Sequence, residues 1–120
     1  MGKRVLIVDD EQDVLDLLEV QLKSEGYGVL KAKSGEACLG ILDKEKPDVI
    51  LLDINMPGMS GWEVCSKIRF NPRTKSIPIL FVTAKIDDYS QAMGKKGADG
   101  YIIKPFDTAE LVKQIKKVTK

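Results

Sequence analysis

Five polar residues close apolar runs in this chain, and their types could do chemistry together. Asp9 and Asp10 follow Arg4-Val5-Leu6-Ile7-Val8, and Asp53 follows Val49-Ile50-Leu51-Leu52. Thr83 follows Ile77 to Val82, and Lys104 follows Tyr101-Ile102-Ile103. One polar residue at the end of an apolar run is ordinary. Three carboxylates, a hydroxyl and an ammonium at four such ends form a set. At a separation of about 5 Å each carboxylate pair repels by roughly 3 kcal/mol at an effective dielectric near 20. Unaided, one carboxylate would take up a proton. A divalent cation is the simpler remedy, and hard oxygen ligands suit Mg²⁺, which binds one or two carboxylates together with phosphate oxygens. With the ion and Lys104 the charges sum to zero. A phosphoryl group could then face the metal, Lys104 and Thr83, with Asp53 as its nucleophilic acceptor.

These residues meet only if the runs that carry them are neighbouring strands. Unbroken Val/Ile/Leu runs read as strands buried on both faces, as in a parallel sheet. Between them the periodicity turns helical. From Asp13, the residues Val14, Leu15, Leu18 and Leu22 form a stripe at about 3.6 residues per turn, with Leu17 at its margin and Gly26 as C-cap. Tyr27 to Ala32 reads as a short strand. Ser34 N-caps a helix whose inward positions are Ala37, Cys38, Ile41 and Leu42, and Pro47 ends it. After a Pro57–Gly61 turn, a helix with Trp62, Cys65 and Ile68 runs to about Phe70, where Asn71-Pro72 stops it. A thin stripe of Tyr89, Ala92 and Met93, weakened by Gly94, predicts a poorly anchored helix over about 87–96. Gly97-Ala98-Asp99-Gly100 reads as a turn. Asp107 and Glu110 resemble a capping box ahead of a last helix facing inward through Leu111, Val112, Ile115 and Val118. The alternation is five βα units, so the expected fold class is α/β: a doubly wound, five-stranded parallel sheet with five helices in one domain over residues 1–120. In such sheets ligands bind at the carboxyl ends of the strands, where the five polar residues stand.

Composition removes several function classes. The 120 residues carry a net charge of +1 with both signs interspersed, so no broad field grips nucleic acid or an anionic membrane. The longest apolar run is far short of a bilayer span, and the one after Met1-Gly2-Lys3-Arg4 ends at Asp9, too soon for a signal peptide. The chain has no histidine, which excludes a histidine base, a Ser-His-Asp triad and most zinc sites. Cys38 and Cys65 lack metal-ligand spacing and read as small buried hydrophobes in a reducing cytoplasm.

Val-Asp-Asp at 8–10, Leu-Leu-Asp-Ile-Asn-Met-Pro at 51–57 with Gly61, Val-Thr-Ala at 82–84 and Lys-Pro-Phe at 104–106 stand in an order and spacing that carry a resemblance. Over essentially its whole length the chain resembles the receiver domain of two-component response regulators, in the single-domain, CheY-like form. The resemblance implies the strand order 2-1-3-4-5. It implies that Asp53 receives a phosphoryl group from a phosphohistidine on a sensor histidine kinase or phosphotransfer protein, which fits the lack of histidine here. Asp10, Asp53 and the backbone carbonyl of Asn55 would ligate Mg²⁺, with Asp9 acting through a water molecule. Thr83 and Lys104 would contact the phosphoryl oxygens, and a cis Lys104-Pro105 bond would aim the lysine.

Tyr101 stands at the family's aromatic switch position, beside the small Ala84. The resemblance makes the segment at about 87–96, the last strand and the last helix a two-state surface for an unidentified output protein. Lys95, Lys96, Lys113, Lys116 and Lys117 on that surface are either solvated lysines or a docking face for an acidic segment. Asn55 and Lys85 occupy the positions that tune self-dephosphorylation. Lys85 is neither carboxylate nor amide, so the phosphoryl group is not expected to be especially short-lived. Such a domain catalyses only its own phosphorylation and dephosphorylation, and acts in the cytoplasm as a monomer or a phosphorylation-dependent dimer, either free-standing or as one part of a longer protein. It contacts no nucleic acid directly and no membrane.

Two other classes use similar residues. A haloacid-dehalogenase-like phosphatase employs Asp, Thr, Lys and Mg²⁺, but needs Asp-x-Asp after the first strand, where this chain has adjacent Asp9-Asp10, and no cap domain fits. A flavodoxin-like FMN binder needs a Ser/Thr/Gly-rich phosphate loop, where Asp9-Asp10-Glu11 would repel the phosphate. Gly94, Gly97 and Gly100 do not match the dinucleotide fingerprint and precede a strand instead of following one. No basic recognition helix is present for reading DNA.

Overall fold

The computed structural model of the chain describes residues 2–84 and 97–119. The strands are β1 (Arg4–Val8), β2 (Gly28–Ala32), β3 (Val49–Leu52), β4 (Ile79–Thr83) and β5 (Gly100–Ile103). The helices are α1 (Gln12–Ser24), α2 (Gly35–Leu42), α3 (Gly61–Phe70) and α4 (Thr108–Val118). All neighbouring strands are parallel, in the order β2-β1-β3-β4-β5. The expected architecture is thus present, with four helices among the described residues; the further helix expected over about 87–96 lies outside them. No helix among the described residues is long and apolar enough to cross a membrane.

The period of two along each strand divides the core into two layers. Leu6, Val8, Ile50, Leu52, Ile79 and Phe81 pack with Cys38 and Leu42 of α2 and with Val64, Cys65 and Ile68 of α3. Val5, Ile7, Val49, Leu51, Leu80 and Val82 pack with Leu15, Leu18 and Leu22 of α1 and with Leu111 and Ile115 of α4. Buried on both faces, β1, β3 and β4 read in sequence as unbroken apolar runs. Cys38 and Cys65 are free, buried thiols, and burial pushes both up in pKa, Cys38 to about 12.

Local chemistry sets the ends of the elements. Gly26 at φ +92° ends α1. Its N–H reaches the Lys23 carbonyl and that of Tyr27 reaches the Leu22 carbonyl, each at 3.0 Å, which is the Schellman pattern. Tyr27 therefore belongs to the helix terminus, and β2 starts one residue later than expected. Ile77 is buried but precedes β4, because Pro78 has no N–H to give to the ladder. Of the expected α2 stripe Ala37 is exposed, while Leu39 packs on the core, so the inward stripe is shifted from the expected one. Leu17, at the margin of the α1 stripe, is 54% exposed.

Candidate functional site

Parallel pairing carries each polar residue past the end of its strand. The Asp9 N–H donates to the Ala32 carbonyl (3.1 Å), that of Asp53 to Val8 (3.0 Å) and that of Lys104 to Thr83 (2.7 Å). The ladder thus fixes three backbones just beyond β1, β3 and β5, on one edge of the sheet. Asp9 (2% exposed), Asp53 (6%) and Thr83 (0%) are buried, and Asp10 is half-buried. One carboxylate oxygen from each of Asp9, Asp10 and Asp53 lies within 4.8 Å of the others.

Lys104 crosses to this cluster. Its Nζ donates to Asp9 Oδ2 at 2.8 Å and lies 3.9 Å from Asp53 Oδ1. The Lys104–Pro105 peptide is cis, as the family resemblance implied. Asp9 is doubly held, because its Oδ1 accepts the Glu11 N–H at 2.9 Å. Glu11 is one contributor that sequence patterning did not mark: it steadies Asp9 and adds negative charge near Lys104.

The electrostatics follow from burial and like charge. Asp53 is pushed up to about 6 by burial and then by Asp9, with a smaller contribution from Asp10. Lys104 and the backbone N–H of Asn55 partly offset this. Burial works against the Lys104 ammonium, but the Asp9 hydrogen bond and the charges of Asp53, Asp9 and Glu11 outweigh it, so its pKa is raised. Three converging carboxylates with one ammonium leave a net negative pocket. Their spacing suits a single hard cation, whose oxygen ligands lie about 2.0–2.1 Å from it when it is Mg²⁺.

Two neighbours of Asp53 shape its loop. Ser60 N-caps α3 through the Glu63 N–H (3.3 Å), and the Gly61 N–H donates to the Ile54 carbonyl (2.9 Å). A Cβ on Gly61 would collide with the backbone of Asp53 and Ile54. Glycine there lets α3 start against the loop that follows Asp53.

Tyr101 is half-buried, its ring 5.9 Å from that of Phe81, which in turn lies 4.8 Å from Trp62. Phe81 pairs with Tyr101, and Thr83 lies two residues beyond Phe81, so Thr83 and Tyr101 share a face of the sheet. Ala84 is exposed. Lys85, Lys95 and Lys96 lie outside the described residues; Lys113, Lys116 and Lys117 are exposed on α4. A groove lined by Glu25, Thr108, Ala109, Val112, Lys113 and Lys116 shares no residue with the carboxylate cluster.

The sequence profile of the response regulator receiver domain matches residues 5–116. The chain belongs to the response regulator receiver domain family. Solved structures agree. The chemotaxis protein CheY4 of Vibrio cholerae is 34% identical with a TM-score of 0.94, over 98% of this chain and 99% of that one. A CheY-like receiver domain protein of Methanospirillum hungatei is 32% identical with a TM-score of 0.89, over 98% and 93%. The response regulator TrrA of Thermotoga maritima, solved in complex with Mg²⁺ and BeF, is 38% identical with a TM-score of 0.86, over 97% and 98%. The chain is accordingly a CheY-like receiver of two-component signalling, a family that works with histidine kinases and phosphotransfer partners.

Proposed function

We propose that this single receiver domain stores a signal as a phosphoryl group on Asp53, taken from a phosphohistidine of a sensor histidine kinase or phosphotransfer protein. The observation that carries this reading is the placement of Lys104 Nζ, 2.8 Å from Asp9 and 3.9 Å from Asp53, beside three clustered carboxylates in a chain of this family. Asp10, the Asp53 carboxylate and the Asn55 backbone carbonyl would hold Mg²⁺, with Asp9 acting through water. When bound, the ion supplies positive charge that offsets repulsion among the carboxylates and toward the incoming phosphoryl oxygens.

The protein's own residues do the rest. A carboxylate oxygen of Asp53 attacks phosphorus. The new O–P bond forms as the P–N bond to the donor imidazole breaks, and the electron pair leaves on that nitrogen. Lys104 steadies the transferring oxygens by charge, and the Thr83 hydroxyl donates to one of them. Thr83 moves toward the phosphoryl group, and Tyr101 follows into the space on the same face. That shift alters β5 and α4 as a docking surface for an output protein; the segment at about 87–96, expected to share that surface, lies outside the described residues. The domain turns over no other substrate. It works in the cytoplasm as a monomer or as a dimer formed on phosphorylation, and its acyl phosphate is not especially short-lived. Incubation with a small phosphodonor and Mg²⁺ followed by intact mass tests the reading. One phosphoryl group on wild type and none on Asp53→Ala supports it; the same mass gain on both proteins, or none on either, overturns it.

A further inference from the structure

At the sheet edge opposite the carboxylates, one side chain gathers the start of β5. Arg69, in the last turn of α3, donates from Nε to the Gly97 carbonyl (2.7 Å). From Nη1 it donates to the carbonyls of Lys75 (3.0 Å) and Ile77 (2.8 Å). Its Nη2 reaches Asp99 Oδ2 at 3.1 Å. That same oxygen accepts the Ile79 N–H (2.9 Å), and the Asp99 N–H donates to the Ile79 carbonyl (2.8 Å). Gly97 sits against Cys65, one turn earlier on α3, so closely that a Cβ there would lie 2.9 Å from its Sγ. The guanidinium therefore ties α3, the entry to β4 and the turn before β5 into one unit.

What this unit holds bears on the site. Among the described residues β5 is an edge strand of four residues paired only with β4, and it is less buried than β1, β3 or β4. Such a strand spans about 13 Å, and a slip of one residue would turn its side chains to the wrong face. Lys104 follows its last residue directly. We infer that Arg69, through Asp99 and Gly97, is a positioning residue that fixes β5 against β4 and so sets where Lys104 meets the phosphoryl site. Asp9, Asp10 and Asp53 ride on β1 and β3, which the clamp does not touch. Loosening it should slow phosphoryl transfer and leave metal affinity unchanged.

The inference rests on the phosphoacceptor reading, and its test separates the two. Wild type, Arg69→Gln, Arg69→Lys and Asp99→Asn are compared well below their melting temperatures. The rate of phosphorylation by acetyl phosphate is followed by intact mass, and the Kd for Mg²⁺ by calorimetry. Misplacement of a reacting group by about 1 Å can cost up to a hundredfold, so a partial loosening is expected to slow Arg69→Gln about tenfold. Arg69→Lys and Asp99→Asn should fall between it and wild type, with Kd for Mg²⁺ within about twofold throughout. Equal rates for all folded variants, or rate and Kd weakening together, would overturn the inference. A wild type that takes up no phosphate would instead overturn the acceptor reading.

Discussion

Asp53 combines burial with like charge, and both raise its pKa to about 6. A carboxylate raised on folding stabilises the folded state most when protonated. Its contribution is complete below the ordinary carboxylate pKa and is lost as pH rises through about 6. Without metal, wild type should therefore be less stable than Asp53→Asn at pH 7, by about 1–3 kcal/mol. The gap should close below about pH 4. Urea unfolding of both proteins in EDTA at a series of pH values checks this; a gap independent of pH would contradict it. Lys104 is held by opposite charges instead. Lys104→Met leaves Asp9 and Asp53 facing each other without compensation, and should destabilise the metal-free protein by about 1–3 kcal/mol at pH 7. Chemical denaturation gives the sign. At this scale the sequence was informative, because the site residues are of types that seldom end several neighbouring apolar runs together. It did not show that Asp9 is held from two sides, since the Glu11 N–H contact depends on how the chain turns after β1.

The elements that bear these residues follow from patterning where patterning is strong. β1, β3 and β4 are buried on both faces, and each reads as an unbroken apolar run. Where backbone chemistry competes, the pattern misleads: Tyr27 goes to a helix terminus and Pro78 delays β4. α2 is short, and its pattern reads with Ala37 inward, whereas the larger Leu39 packs on the core. Arg69 left no signal at all, because its partners, three carbonyls and the Asp99 carboxylate, are distant in sequence or lie in a loop. The start of α3 offers an element-scale test. Gly61→Ala forces the helix away from the Asp53 backbone and should cost about 1–3 kcal/mol in urea unfolding, with weaker Mg²⁺ binding by calorimetry. Ser60→Ala removes only a cap, and should cost about 1 kcal/mol with metal affinity nearly unchanged.

Across the whole molecule, strand order converts separate positions in sequence into one site. β1 lies between β2 and β3, so Asp9 and Asp53 end adjacent strands, and Lys104 reaches them from the far side of β4. Neighbouring strands cannot be read from apolar periodicity, which is blind to pairing; that order came from the family resemblance, and the structure agrees with it. A molecule built around mutually repelling carboxylates should be stabilised by a divalent cation. At a Mg²⁺ concentration of 100 times Kd the gain is about 2.7 kcal/mol, visible as a higher melting temperature that EDTA reverses and Asp10→Asn largely abolishes. The most direct test of the central claim is to locate the phosphoryl group itself. Protein treated with a small phosphodonor and Mg²⁺ is reduced with borohydride, which converts an aspartyl phosphate to homoserine, and its peptides are sequenced by mass spectrometry. Phosphoryl storage on Asp53 predicts homoserine at position 53 alone, dependent on Mg²⁺. Modification elsewhere, or an unchanged Asp53 in protein that carries phosphate, would contradict it.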